Sequence, residues 1–140
     1  MNIVDTDVLI QFLRGNPSAL DFIKKILEQE RIIHTTIYNV GELYKGVYES
    51  INPAKTEREV NDFLDDCDII YPDLESQKIW AQITTELKKT YGKQFMKDIG
   101  DIDQLIASIV LARKDKLITR NIKHYNKIRG LEIENWEKKK

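Results

Sequence analysis

The amino-acid sequence predicts an α/β fold: one domain with a short parallel β-sheet of four to five strands, flanked by helices. Short apolar runs recur around Ile3-Val4, Ile32-Ile33, Ile69-Ile70 and Leu117-Ile118, with amphipathic stretches between them. A length of 140 residues suits a single core. An acid, Asp5, directly follows the first apolar run. In open α/β sheets that is where ligands bind, just beyond the carboxyl ends of the strands.

Strand one is read over 2–5, and a helix from about Asp7 to Arg14 ends at Gly15-Asn16-Pro17. The next helix runs to about Gln29, with Leu20, Ile23, Ile26 and Leu27 at helical spacing. Strand two is Arg31-Ile32-Ile33-His34. Thr35 or Thr36 caps a helix whose apolar stripe is Ile37, Val40, Tyr44, Val47 and Ile51, and Asn52-Pro53 breaks it. A helix over roughly 54–66 leads to strand three, Ile69-Ile70-Tyr71. Residues 73–91 form a long helix that stops at Gly92, and a loop of about eight residues follows with Gly100 near its end. A helix over 102–115, strand four over 116–119 and strand five over 131–134 complete the order. The tail Lys138-Lys139-Lys140 is expected to fray.

Composition sets limits. The chain is 41% hydrophobic and 32% charged, the profile of a globular protein. No apolar run is long enough to span a bilayer, and the N-terminus lacks a signal-peptide pattern. Cys67 is the only cysteine, which excludes an internal disulfide and fits a reducing cytoplasm. A net charge of −1 argues against nucleic-acid binding by bulk charge. Charge is segregated, however. Lys88, Lys89, Lys93 and Lys97 gather at one helix end, and basic residues from Arg113 to Arg129 crowd the C-terminal third. Such a face attracts phosphate even on a near-neutral protein.

Three acids stand out. Asp5 is either a helix N-cap or a ligand at the strand end. Asp103 lies on the stripe of Ile106, Ala107 and Val110. An inward-facing acid neutralises, finds a partner or borders a cleft. Asp101, on another face, has an ordinary capping role open to it. Glu42 lies opposite its helix's apolar stripe and matters only if that helix end overhangs the sheet. Thr119 and Asn121 follow strand four and fall at the same edge. Two unit charges about 4 Å apart repel by roughly 4 kcal/mol at an effective dielectric near 20. Converging carboxylates therefore call for a divalent cation. An oxygen-only donor set favours Mg2+, or Mn2+, over zinc.

These residues together resemble the PIN-domain ribonucleases, and within them the VapC toxins of toxin–antitoxin pairs. Ile3-Val4-Asp5-Thr6-Asp7-Val8-Leu9-Ile10 is similar to the family's opening motif, whose first Asp binds metal. Thr35-Thr36 through Val40-Gly41-Glu42-Leu43 is similar to the second, whose Glu is the second acid. Ile99-Gly100-Asp101-Ile102-Asp103-Gln104-Leu105-Ile106-Ala107 is similar to the third, where the acid before x-Leu-Ile-Ala is the ligand. Leu117-Ile118-Thr119-Arg120-Asn121 and His124-Tyr125 resemble the last. Many relatives have an acid where this chain has Asn121, and Asp-Phe where it has His124-Tyr125.

The resemblance implies a single PIN-like domain over 1–140, a single-strand or tRNA-directed endoribonuclease that cuts RNA phosphodiesters with metal-activated water. Asp5, Glu42 and Asp103 would be the catalytic acids and metal ligands, with Asn121 and Asp101 supporting them. It also implies a homodimer and a cognate VapB-like antitoxin. Arg120, Lys123 and Thr119 are the residues expected to touch RNA, since they flank the predicted edge. Two other readings stay open. One is a PIN-like scaffold that binds RNA or protein without cutting. The other is a HAD-type phosphatase using Asp5-Thr6-Asp7, in which Asp5 is the nucleophile, Asp7 the general acid/base and Thr35 or Thr36 a phosphate ligand. Leu9 and Leu105 depart from that pattern. His34 and His124 are left out of the catalytic set.

Overall fold

The structure, a computed structural model, describes residues 1–137. The expected frayed tail, 138–140, lies outside the described residues. Eleven elements run in the order β1 (Asn2–Val4), α1 (Thr6–Leu13), α2 (Pro17–Glu30), β2 (Ile33–Thr36), α3 (Ile37–Tyr48), α4 (Pro53–Asp65), β3 (Cys67–Ile70), α5 (Leu74–Arg113), β4 (Lys116–Ile118), α6 (Ile122–Tyr125) and β5 (Glu132–Glu134). The strands form one sheet in the order β3-β2-β1-β4-β5. All of its ladders are parallel.

This order puts β1 in the middle. The chain builds outward from β1 through β2 to β3, then returns to the other side of β1 with β4 and β5. The switch point therefore falls between the carboxyl ends of β1 and β4. Asp5 continues the ladder there, its N–H donating to the Ile118 carbonyl at 2.9 Å.

Strand side chains alternate between the two faces of the sheet. Val4 and Ile118 join Val8, Leu9, Ile23, Ile26, Val40, Leu43 and Val47 under α1–α4. Ile3 and Leu117 join Ile83, Leu87, Ile106, Ile109 and Val110 under α5 on the other face. Two apolar layers thus clamp strands of three or four residues, too short to be stable alone. Among the described residues no helix is long and apolar enough to cross a membrane.

Several boundaries move from the sequence reading. β1 ends at Val4, and Asp5, still bonded to β4 through its N–H, caps α1. The next strand is β2, Ile33–Thr36, and not 31–34. Arg31 instead ends α2 in the left-handed conformation at φ 66°. α3 stops at Tyr48, so Ile51 falls beyond the apolar stripe and is exposed, and Leu43 fills the stripe instead. β3 starts earlier than expected, and Tyr71 lies outside it, exposed.

The largest correction concerns the expected loop after Gly92. The segment 93–99 is helical, and α5 bends at Gly92 (φ 81°, ψ −178°) and again at Gly100 (φ 73°, ψ 162°). That backbone region is essentially open to glycine alone. Both glycines mark corners between helical segments. α6 was not expected: its four residues are too few to show a periodicity.

Candidate active site

Asp5 occupies the N-cap of α1, where its Oδ1 accepts from the Thr6 N–H at 2.9 Å. The same oxygen accepts from Asn39 Nδ2 at 2.9 Å, and Oδ2 accepts from the Thr119 hydroxyl at 2.8 Å. Asp5 is thus the cap, and it stands at the switch point.

Asn39 is held by the capping box that starts α3. Its Oδ1 accepts from the Thr36 N–H at 3.2 Å and the Thr36 hydroxyl at 2.6 Å. This leaves both amide hydrogens for the acid side, one on Asp5 and one on Thr6 Oγ1 at 2.9 Å. The Thr6 hydroxyl in turn donates to Glu42 Oε1 at 2.6 Å. Glu42 lies one turn from Asn39, so the N-terminal end of α3 does overhang the sheet edge.

Asp103 reaches the site from the third segment of α5. Its Oδ1 accepts from the Tyr125 hydroxyl at 3.2 Å and its Oδ2 from Asn121 Nδ2 at 3.3 Å. Ile106, Ala107 and Val110 below it are buried, as the helical stripe required. Asp101 is exposed and has no hydrogen-bond or ion-pair partner among the described residues, so it gives the acids no support. Asn121 does support them, as an amide donor to Asp103.

The sequence reading missed the structural part played by Asp7. Its Oδ1 accepts from Trp136 Nε1 at 2.9 Å. Its Oδ2 accepts from the Thr119 hydroxyl at 3.0 Å and the Arg120 N–H at 3.1 Å. Thr119 also departs from expectation. It is fully buried and its hydroxyl faces the two acids, so it orders carboxylates instead of touching RNA. Arg120 is exposed, 3.5 Å from Glu137 and 6.0 Å from the Trp136 ring centroid. Lys123 is exposed. His34 lies between Glu30 and Asp68, and His124 packs edge-on against Phe95.

Burial sets the electrostatics. It pushes the Asp5 carboxyl up to about 7, and the nearby charges of Asp7 and Asp103 add to the rise against the Thr119 and Thr6 bonds. Asp103 is pushed up to about 6, again by burial first and then by Glu42 and Asp7, while the Tyr125 bond and His124 pull it down. Burial also raises Asp7, against donors from Arg120, Thr119 and Trp136. The geometry agrees. Thr119 has one hydroxyl hydrogen and contacts two carboxyls, so both contacts are hydrogen bonds only when one carboxyl carries a proton.

These acids converge on one edge and feel one another's charge. Among the described residues, though, no three acidic, histidine or cysteine side chains stand close enough to hold an ion. The donor set itself fits a hard dication: it is oxygen-only, and its Asp5 and Asp103 carboxyls are raised by burial and neighbouring negative charge that a positive charge would relieve. Fold and site together define a parallel α/β protein with an acidic centre at its topological switch point.

Comparison with known proteins narrows that class. The PIN domain family profile matches residues 3–130, and the chain belongs to that family. It is 27% identical over 135 residues to Ribonuclease VapC2 of Rickettsia felis, covering 96% of this chain and 97% of that protein. It is 25% identical over 136 residues to Ribonuclease VapC1 of Haemophilus influenzae, with 96% and 97% covered. Among solved structures it is similar to VapBC2 of Rickettsia felis bound to a promoter DNA fragment, with a TM-score of 0.85, 24% identity and 97% and 98% of the two chains covered. VapBC-1 of nontypeable Haemophilus influenzae has a TM-score of 0.82 at 24% identity, with 98% of each chain covered.

Proposed function

We propose that the protein is a divalent-metal-dependent endoribonuclease of the VapC type, acting in the cytoplasm as the toxin of a toxin–antitoxin pair. The observation that supports this is an acidic sheet edge: Asn39 and Thr6 link Asp5 to Glu42 by hydrogen bonds, and Asp103 lies near enough for its charge to act on Asp5 and for the charge of Glu42 to act on it. The names of the matched relatives, ribonucleases VapC, support the substrate class. The solved VapBC structures support a VapB-like antitoxin as partner. A homodimer is part of the same reading.

Asp5, Glu42 and Asp103 would hold Mg2+ or Mn2+. When bound, such an ion would neutralise charge at a phosphodiester and make water easier to deprotonate for attack on phosphorus. The chain's own residues do the rest. Thr119 and Asn39 fix both Asp5 oxygens. Thr6 ties Glu42 to the same network. Arg120 and Lys123 sit at the edge, where they hold backbone phosphates. The reaction consumes water, breaks one P–O bond and needs no covalent enzyme intermediate. Asn121 supplies an amide where an acid would add a charge, so Asp5, Glu42 and Asp103 would hold one ion firmly in the free protein, and a second would need the RNA phosphate as a further ligand.

The test is cleavage of RNA by purified protein with and without Mg2+. Wild type cleaves, and Asp5→Asn and Asp103→Asn do not, although both fold. A folded wild type that binds RNA but never cuts it would establish the scaffold reading instead. The phosphatase reading is disfavoured by Asp7. Both oxygens of that carboxyl already accept hydrogen bonds, from Trp136, Thr119 and the Arg120 N–H.

A further inference from the structure

Beyond the acids, side chains of α5 and α6 and the turn after α6 form one continuous row. Tyr125 at the end of α6 touches Asp103, and its neighbour His124 lies close enough to lower the Asp103 pKa. The His124 ring meets Phe95 edge to face at 6.1 Å. Phe95 and Tyr91 lie 4.8 Å apart at 40°. Lys127 Nζ stands 5.7 Å from the Tyr91 centroid. The row thus starts at the catalytic acids and leads outward.

Packing of α5 on α6 accounts for the inner rings, which are half-buried. It does not account for the outer one. Tyr91 is 42% exposed at the Gly92 corner, where the chain turns. Lys127 stands over its ring, and Lys93, Lys97 and Lys123, close in sequence to Tyr91, Phe95 and His124 respectively, are exposed like it; none of the four is ion-paired among the described residues. Arg129, by contrast, is engaged with Glu86 at 3.2 Å. Aromatic faces interleaved with free cations suit a polyanion whose bases are unstacked. A duplex hides its base faces, whereas a single strand offers them.

We propose that the row Lys127–Tyr91–Phe95–His124 is a track for single-stranded RNA, with one unpaired base lying on Tyr91 and neighbouring phosphates held by the surrounding lysines. This rests on the ribonuclease reading and adds the path of the strand, which enters along α5 with one base on Tyr91.

The experiment measures binding of a short labelled oligouridylate, and of the same strand in duplex with oligoadenylate, to the full chain in EDTA. Tyr91→Ala weakens single-strand binding roughly 5- to 100-fold. Tyr91→Phe keeps the ring and binds like the parent. Lys97→Gln and Lys127→Gln each lower the slope of log K against log salt by about 1. Duplex binding does not respond to Tyr91→Ala. Unchanged affinities and slopes, in a wild type that binds and cleaves RNA, would reduce the row to packing and leave the ribonuclease reading intact. Equal losses for duplex and single strand would also overturn it. Should wild type cleave no RNA while Tyr91→Ala still weakens single-strand binding, the track stands and the nuclease assignment falls. If Tyr91→Ala does not fold, Tyr91→Phe and the two lysine slopes decide.

Discussion

The acidic centre has two unlike halves. Around Asp5 and Asp7, five groups donate: the Thr6 and Arg120 N–H, Asn39 Nδ2, the Thr119 hydroxyl and Trp136 Nε1, all between 2.8 and 3.1 Å. Around Asp103 there are two longer contacts, 3.2 and 3.3 Å, and Glu42 has one, from Thr6. The closed half is built on backbone that the sheet holds. The open half hangs from α3 and α5. One half is therefore preset and the other keeps more of its lone pairs free. Charge follows the same division: the enclosed Asp5 is raised to about 7 and the half-open Asp103 to about 6.

The largest effect expected is on catalysis, where the two halves should act alike. Asp5→Asn and Asp103→Asn each lower RNA cleavage at least about a hundredfold, as loss of a ligand to a catalytic ion implies. A variant that cuts like wild type removes its residue from the ligand set. In stability the halves should diverge. Both carboxyls are raised from an ordinary value of 3.8, so the folded chain keeps protons that the unfolded chain has released. The sign follows: their contribution is fully present below about pH 4 and is lost as pH rises through about 6 for Asp103 and about 7 for Asp5. For Asp5 the loss is roughly 2–4 kcal/mol. Thermal denaturation of metal-free protein should show Tm falling across that window. Asp5→Asn should flatten the fall more than Asp103→Asn, and Mg2+ should oppose it in the wild type. A Tm that rises from pH 4 to 7 contradicts the linkage.

Smaller effects separate the halves further. Asn39→Ala strips a donor from Asp5 and Thr6 and an acceptor from Thr36, and should cost roughly 2–3 kcal/mol by urea denaturation. Trp136→Phe removes one donor from Asp7 and should cost about 1–2 kcal/mol. Equal costs from Tyr125→Phe in the open half would erase the contrast. The smallest change is Asn121→Asp, which adds a carboxylate to the open half. Calorimetric titration of the free protein should then find tighter Mg2+ binding or a second site, with apo stability changed by less than about 1 kcal/mol. A wild type with two equally tight sites contradicts the single firmly held ion.

How the sequence signalled each residue explains what was found and what was missed. Asp5 stood out because an acid ends an apolar strand, and Asp103 because an acid interrupts an apolar helical stripe. Both signals span a few residues. Glu42 had no such signal, and only the family resemblance singled it out. Asn39 did leave a trace: Thr36 and Asn39 have the spacing of a capping box. Asp7 and Tyr125 appear only as motif members, with no sign of the bonds they make, and Trp136 left no trace. Trp136 meets its partner across 129 positions, and nothing around it distinguishes that contact from ordinary burial. Thr119 was placed at the correct edge but given the wrong task. Its location follows from strand four, whereas its hydroxyl partner depends on which strand lies alongside.

Local pattern was enough for the alternation of strands and helices, the single domain and the two acids that break apolar runs. Hydrophobic periodicity acts over one or two turns, and every residue needed to read it is nearby in the chain. The sheet order, the overhang of α3 and the enclosure of one acid pair came from packing alone. A hydrogen bond such as Thr119 to Asp5, 114 positions apart, exists only once β1 and β4 lie side by side. Burial and charge repulsion are likewise properties of the assembled edge, so the raised carboxyls appear only when distant segments meet.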